Sequence, residues 1–289
     1  MDRPFRVGVF TDEVSGDIFE AAAFARCHGL DCMEVRNVND HGPFEYTEQD
    51  IADIQAAAKQ YGLTVCAISA PLFKCDFSDK ETVESHIQKF ETCARQAKQL
   101  GVSLIRGFDF WEEGISLEDR ADVYQRIGEI CEKYDVFCVV ESDPSVHSNT
   151  PMKLAQVLKA IRHPRIKAVY DPGNEVWVTG QASEQGYQDL KPYIAHMHVK
   201  DAVTEEGKAK AVKVGTGVVD FPGIFAKLLR DGYDGSVILE THYRKNVELT
   251  EEQLKLPGGS TFSNGAYAAS EESIVELINM IRQVREELV

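Results

Sequence analysis

Apolar runs of four to eight residues, rich in β-branched side chains, recur along the chain, each followed by a longer run with helical periodicity. This alternation implies parallel strands joined by crossover helices. The strand candidates are RVGVFT (6–11), DCMEVR (31–36), TVCAISA (64–70), VSLIRGF (102–108), VFCVVES (136–142), IKAVYD (166–171), IAHMHVK (194–200) and SVILET (236–241). Helix starts are marked by Thr47 and Ser116, each three residues before an Asp, by Ser78 three before a Glu, and by Thr150 ahead of Pro151. Gly29, Gly62 and Gly101 close the first three helical runs, where a left-handed residue suits glycine. Eight alternations without a linker or low-complexity tract predict one closed (β/α)8 TIM barrel over residues 1–289, in preference to an open doubly wound sheet. The first turn, VGVFTDEV, lacks the G-x-G-x-x-G pattern that holds a dinucleotide pyrophosphate.

Two stretches break the pattern. Residues 201–221 (DAVTEEGKAKAVKVGTGVVDF) read as an irregular connection after strand seven, and residues 242–268 as a long one after strand eight. Both leave C-terminal strand ends, where barrel enzymes carry their chemistry on loops. The 242–268 stretch reads equally as a lid and as a contact with a second copy of the chain, which leaves a homo-oligomer open. The glycines of VGTGVVDF (214–221) read as a tight turn in preference to a phosphate cradle, because no P-loop lysine accompanies them.

The same strands place chemistry. In AHMHVKD (195–201), His196, His198 and Lys200 alternate, so they share one face and rise about 6–7 Å per step toward the strand end. Neighbouring apolar runs end in Glu141 (VVES), Asp171 (VYDPGN) and Glu240 (ILETHY). Taken singly, a strand-end Glu reads as a salt-bridge or capping residue, and a strand His as a hydrogen-bonded core residue. Together they lie on four successive strands of one rim. Ionised carboxylates at the edge of a core lose several kcal/mol of hydration and repel one another unless something compensates. A divalent cation held by Glu141, Asp171, His198 and Glu240 offsets both penalties. This oxygen-rich, open set suits Mn2+, Mg2+ or Co2+ better than a closed thiolate zinc site does. His196, one level lower, reads either as a hydrogen-bonding support for a ligand carboxylate or as a buried neutral imidazole.

Composition narrows the partners. The 289 residues carry 47 acidic and 31 basic side chains, a net charge of −16, which repels nucleic-acid phosphates and anionic lipid surfaces. No stretch approaches the roughly 20 apolar residues that span a bilayer, and MDRPFRVGVFTDEV lacks the apolar segment of a secretory leader. A cytoplasmic protein with no nucleic-acid or membrane partner is the expectation. Cysteines 27, 32, 66, 75, 93, 131 and 138 show no C-x-x-C pair and read as reduced packing residues.

Glu141 after strand five, D171-P-G-N174 after strand six, H196-M-H198-V-K-D after strand seven, V214-G-T-G-V-V-D-F beyond it and G232-Y-D-G-S-V-I-L-E240 together resemble the xylose isomerase-like TIM barrels. That superfamily holds ketose 3-epimerases, hydroxypyruvate isomerase, inosose dehydratase and the apurinic endonucleases. The resemblance covers essentially the whole chain and implies Glu141, Asp171, His198 and Glu240 as metal ligands, in agreement with the reading of the residues alone. The endonuclease branch needs further histidines at places that here read SAPLF, GFDF and Asn174. The resemblance therefore implies one divalent ion (Mn2+, Mg2+, Co2+ or Zn2+) and no nuclease. Ketose 3-epimerases carry a substrate-contacting His where this chain has Asn174, and a Glu where it has His147.

A metal flanked by two glutamates polarises a carbonyl and stabilises an enediolate while Glu141 and Glu240 exchange a proton as acid and base. The expected function is a metal-dependent sugar isomerase or epimerase acting on a sugar or polyol-derived carbonyl compound. The alternatives are a lyase of the inosose or dehydroshikimate dehydratase type and a non-catalytic sugar-binding subunit. Arg36, Arg106, His147, Asn174, Lys200 and Arg244 are the candidates for substrate contact at the mouth. Arg36 reads almost as well as a structural partner of Glu34, and Trp111 and Trp177 read as pocket walls or as core covers.

Overall fold

The computed structural model describes residues 4–111, 114–259 and 261–288. Eight parallel strands close into a barrel: β1 (Arg6–Phe10), β2 (Cys32–Val35), β3 (Thr64–Leu72), β4 (Leu104–Gly107), β5 (Phe137–Glu141), β6 (Ile166–Tyr170), β7 (Ile194–Val199) and β10 (Ser236–Leu239). Their order around the barrel is β1-β10-β7-β6-β5-β4-β3-β2, so each of the eight predicted strands takes its place. The principal helices outside are α1 (Ile18–Cys27), α2 (Glu48–Tyr61), α3 (Lys80–Leu100), α4 (Leu117–Tyr134), α5 (Pro151–Ile161), α6 (Pro172–Thr179), α7 (Glu184–Leu190), α8 (Phe221–Arg230) and α10 (Ala266–Leu288).

Helix starts follow capping chemistry. Thr47 accepts from Asp50 N–H and Asp50 returns the bond, while Ser116 and Thr150 cap α4 and α5 in the expected way. The start of α3 differs from expectation. Asp79, not Ser78, accepts from Thr82 N–H at 3.1 Å, because a carboxylate answers the positive helix end better than a hydroxyl does.

Apolar side chains form two layers. The large core lies between strands and helices, while Phe10, Cys32, Cys66 and Ile238 pack separately beneath the site. Six of the seven cysteines are buried and Cys27 is exposed, and all seven are free thiols. No helix among the described residues is long and apolar enough to cross a membrane.

The stretch after β7 is more regular than its sequence suggests. Asp201–Glu205 (β8) and Lys208–Val212 (β9) form an antiparallel hairpin, with Glu205 opposite Lys208. Its two-residue turn places Glu206 and Gly207 at φ of 49° and 78°, the primed geometry that favours hairpins. The charged residues Asp201, Glu205, Lys208 and Lys210 share one face and only Ala202, Thr204, Ala209 and Ala211 form the other, so no alternation of large apolar side chains announced the strands. Beyond the hairpin, Gly215 and Gly217 N–H groups each donate to the Asp201 carboxylate at 2.9 Å. A Cβ at Gly217 would lie 2.0 Å from Asp201 Oδ1, so the turn requires glycine and its amides are already engaged. The 242–268 stretch, with the short helix α9 (Glu251–Lys255), folds back over the chain's own barrel. Phe262 is fully buried, Ser263 donates to the Asp12 carbonyl at 2.8 Å, and Lys74 Nζ donates to the Lys255 carbonyl at 2.7 Å.

Candidate metal centre

Barrel geometry carries the ends of β5, β6, β7 and β10 to one point. Glu141 ends β5, Asp171 follows β6 and caps α6, His198 lies in β7, and Glu240 follows β10. One ligand atom from each lies within 4.8 Å of all the others, and all four residues are at most 1% exposed. The close approach of α6 to β7 depends on Gly173, where a Cβ would meet the Lys200 carbonyl at 2.1 Å.

His198 Nδ1 faces this centre, 3.1 Å from Glu141 Oε1 and 3.5 Å from Glu240 Oε2. Its other nitrogen, Nε2, lies 3.2 Å from Glu34 Oε2, and His196 Nε2 is 2.7 Å from the same oxygen. The Ser69 hydroxyl donates to the other Glu34 oxygen. An ionised carboxylate only accepts, so Glu34 fixes a proton on Nε2 of each imidazole, and a His198 that gives up its Nδ1 proton offers that nitrogen's lone pair to the centre. Burial works against ionised Glu34, but the two imidazoles outweigh it and hold the carboxyl well below the usual range. Burial likewise opposes charge on His198, yet Glu34 and Glu141 push its pKa up to about 10.

Lys200 Nζ stands 3.1 Å from both Asp171 Oδ2 and Glu240 Oε2, although neither buried oxygen accepts a hydrogen bond. Burial, augmented by Glu141 and Glu240, pushes Asp171 up to about 6 against the pull of Lys200. Two buried oxygens without a hydrogen bond, one oxygen of Glu141 and one imidazole lone pair make a donor set that fits a divalent cation. Glu141, Asp171, His198 and Glu240 would hold it.

The remaining candidates divide. Asn174 donates to Glu141 Oε1 at 3.1 Å and receives Lys200 Nζ at 3.1 Å. Arg106 Nη1 donates to Glu141 Oε2 at 3.1 Å. Arg36 does not pair with Glu34. It donates to Asp12 Oδ2 (2.9 Å) and Glu240 Oε1 (2.6 Å), because β2 directs it across the mouth toward the strand-end acids. Arg244 donates to Glu13 Oε2 at 2.9 Å and to the Phe262 carbonyl. His147 is half-buried after β5 and stands outside the converging tetrad. Trp111 carries the Lys255 ammonium 3.9 Å from its ring centroid, and Trp177 lines a 1390 Å³ cavity. That cavity lies between the β8–β9 hairpin and residues 242–254, and shares His242 and Arg244 with the mouth. His196 supports Glu34, not one of the four expected ligands. Sequence reasoning did not single out Asp12, Glu13 or His242 and gave Glu34 no part in the site, although Glu34 shares the inward strand phase of Arg36 and His242 that of Glu240.

A model of the xylose isomerase-like TIM barrel family matches residues 22–263. The chain belongs to that family. A 3-dehydroshikimate dehydratase of Bacillus anthracis is 26% identical over 163 residues, 55% of each protein. The chain thus spans about half the length of the curated relatives it matches. Among solved structures, a D-tagatose 3-epimerase-like protein superposes with a TM-score of 0.74 at 18% identity, covering 98% of this chain and 100% of its own. The IOLI protein with a bound zinc atom gives 0.71 at 16% identity, covering 96% and 99%. At these identities, the two structures show that this xylose isomerase-like barrel shares their fold.

Proposed function

We propose that the protein is an enzyme, a divalent-metal-dependent sugar isomerase or epimerase acting on a small sugar or polyol-derived carbonyl compound. The observation that supports this most is the buried tetrad, two of whose carboxylates, Glu141 and Glu240, come from strands separated by two others. An ion bound there (Mn2+, Mg2+, Co2+ or Zn2+) supplies positive charge to a carbonyl oxygen as a neighbouring C–H proton leaves. Glu141 and Glu240 approach from different sides, one removing the proton and the other returning it. Return to the opposite face of the same carbon is epimerisation, and return to the neighbouring carbon is isomerisation. Arg36 and Arg106 hold these carboxylates through Glu240 Oε1 and Glu141 Oε2, which leaves Glu240 Oε2 and Glu141 Oε1 toward His198. Lys200, Asn174 and His147 are the proposed contacts for substrate oxygens, and Arg244 orders Glu13 and the covering segment.

A second reading, a dehydratase on the same barrel, is favoured by the match to the 3-dehydroshikimate dehydratase. It uses the same two carboxylates but expels a β-hydroxyl instead of returning the proton. Incubating the metal-loaded protein in heavy water with a panel of ketoses, inososes and keto-acids separates the two. Deuterium at one carbon without enone absorbance is the expected result; enone absorbance with loss of water selects the dehydratase, and neither signal across the panel contradicts both.

A further inference from the structure

Beside the tetrad lies a second group of ligand-type atoms. Glu13, Glu240 and His242 are buried and offer atoms within 4.8 Å of one another, with Glu240 common to both groups. His242 Nε2 faces Glu13 Oε1 at 3.3 Å and Glu240 Oε1 at 3.6 Å, and neither His242 Nε2 nor Glu13 Oε1 has a hydrogen-bond partner. Two carboxylates and an imidazole in this arrangement are a divalent-ion donor set.

A cation already stands there. Arg36 sends Nη1 to Glu240 Oε1 at 2.6 Å and Nε to Asp12 Oδ2 at 2.9 Å, and its Nη2 lies 3.5 Å from Glu13 Oε1. Its guanidinium carbon lies 4.7 Å from the Phe10 ring centroid and 4.9 Å from that of Phe262, so aromatic rings hold the charged head. A guanidinium stays protonated at any working pH and cannot coordinate a metal, so its charge is fixed in place.

We infer that Arg36 is a built-in cation occupying the place of a second metal ion between Glu13, Glu240 and His242, and that it keeps the centre mononuclear. The inference rests on the metal-centre reading above. Without Arg36, Asp12, Glu13 and Glu240 would keep Arg244 on Glu13 but lose the charge that joins all three, and a divalent ion would restore it.

The test is the number of ions per chain. Protein equilibrated with Mn2+ and freed of excess ion is assayed for metal by mass spectrometry. The account expects one ion on the wild type, two on Arg36→Met, and one again on Arg36→Met combined with His242→Ala. One ion on folded Arg36→Met overturns the inference while leaving the tetrad reading intact; none on the wild type sinks the tetrad reading itself. Two ions on the wild type, or an anomalous manganese peak between Glu13 and His242 in wild-type crystals, also overturns the inference. Arg36→Gln serves as the second variant if the methionine variant fails to fold. Failure of both to fold with Mn2+ present counts against the proposal, because the second ion should restore the missing charge.

Discussion

On the β1–β2 side of the mouth, Asp12 and Glu13 meet the permanent charges of Arg36 and Arg244, each guanidinium about 5 Å from the Phe262 ring. On the β5–β7 side, Asp171 meets a lysine on a flexible stem, and Glu141, besides the Arg106 guanidinium on its Oε2, meets an imidazole whose proton is removable. Both sides bury carboxylates, but only the second answers them with cations that a metal can displace. Lys200 can swing away and His198 can lose its Nδ1 proton, whereas Arg36 can do neither. In the function proposed above, the second side receives the ion and the first is scaffolding.

The largest effect should come from the proton-moving groups. Glu141→Gln or Glu240→Gln should lower turnover by about 10²–10⁴-fold while circular dichroism shows the fold retained, since an amide accepts no proton. Full activity in either would remove the mechanism. Next comes the imidazole and its support. His198→Ala should weaken Mn2+ affinity by more than about 100-fold, and Glu34→Gln by about 10–100-fold through loss of the assigned tautomer. Calorimetric titration reads both, and an unchanged affinity in Glu34→Gln would leave the Glu34–His198 contact merely structural.

Acid should act through Asp171. Its folded-state pKa is raised to about 6, so in metal-free protein its contribution to stability is present below the ordinary carboxylate range and lost as pH rises through about 6. Metal binding needs Asp171 ionised and His198 without its Nδ1 proton, so it should weaken by up to about tenfold per unit as pH falls toward 6 and more steeply below about 6. Melting curves with and without Mn2+ from pH 4 to 8 test both signs; metal stabilisation that is flat across this range contradicts the assignment. The smallest change in metal affinity should follow Lys200→Met. Removing a competing cation should leave affinity unchanged or tighter by less than about tenfold, whereas metal-free protein should melt lower because two buried carboxylates lose their counter-charge. Loss of metal comparable to that of His198→Ala would erase the contrast between displaceable and fixed cations.

Local pattern sufficed for the barrel and for the convergence of Glu141, Asp171, His198 and Glu240, because strand phase and strand order set where an inward side chain at a strand end lies. The hairpin at 201–212 escaped, since a ribbon with charges on one face and only alanines and a threonine on the other carries no alternation of large apolar residues. The partner of Arg36 also escaped. Its inward phase was legible, but the choice between Glu34, two residues away, and Glu240, 204 residues away, depends on how the mouth closes. Glu34 illustrates the same limit: it is tied to histidines on β7 across the barrel, a contact that propensity and spacing do not encode.

The central claim is tested most directly by an anomalous difference map from crystals grown with Mn2+. The account predicts one strong peak bonded at roughly 2.0–2.4 Å to oxygens of Glu141, Asp171 and Glu240 and to His198 Nδ1. An empty centre, with Lys200 still lying against Asp171 and Glu240 at saturating metal, would contradict it.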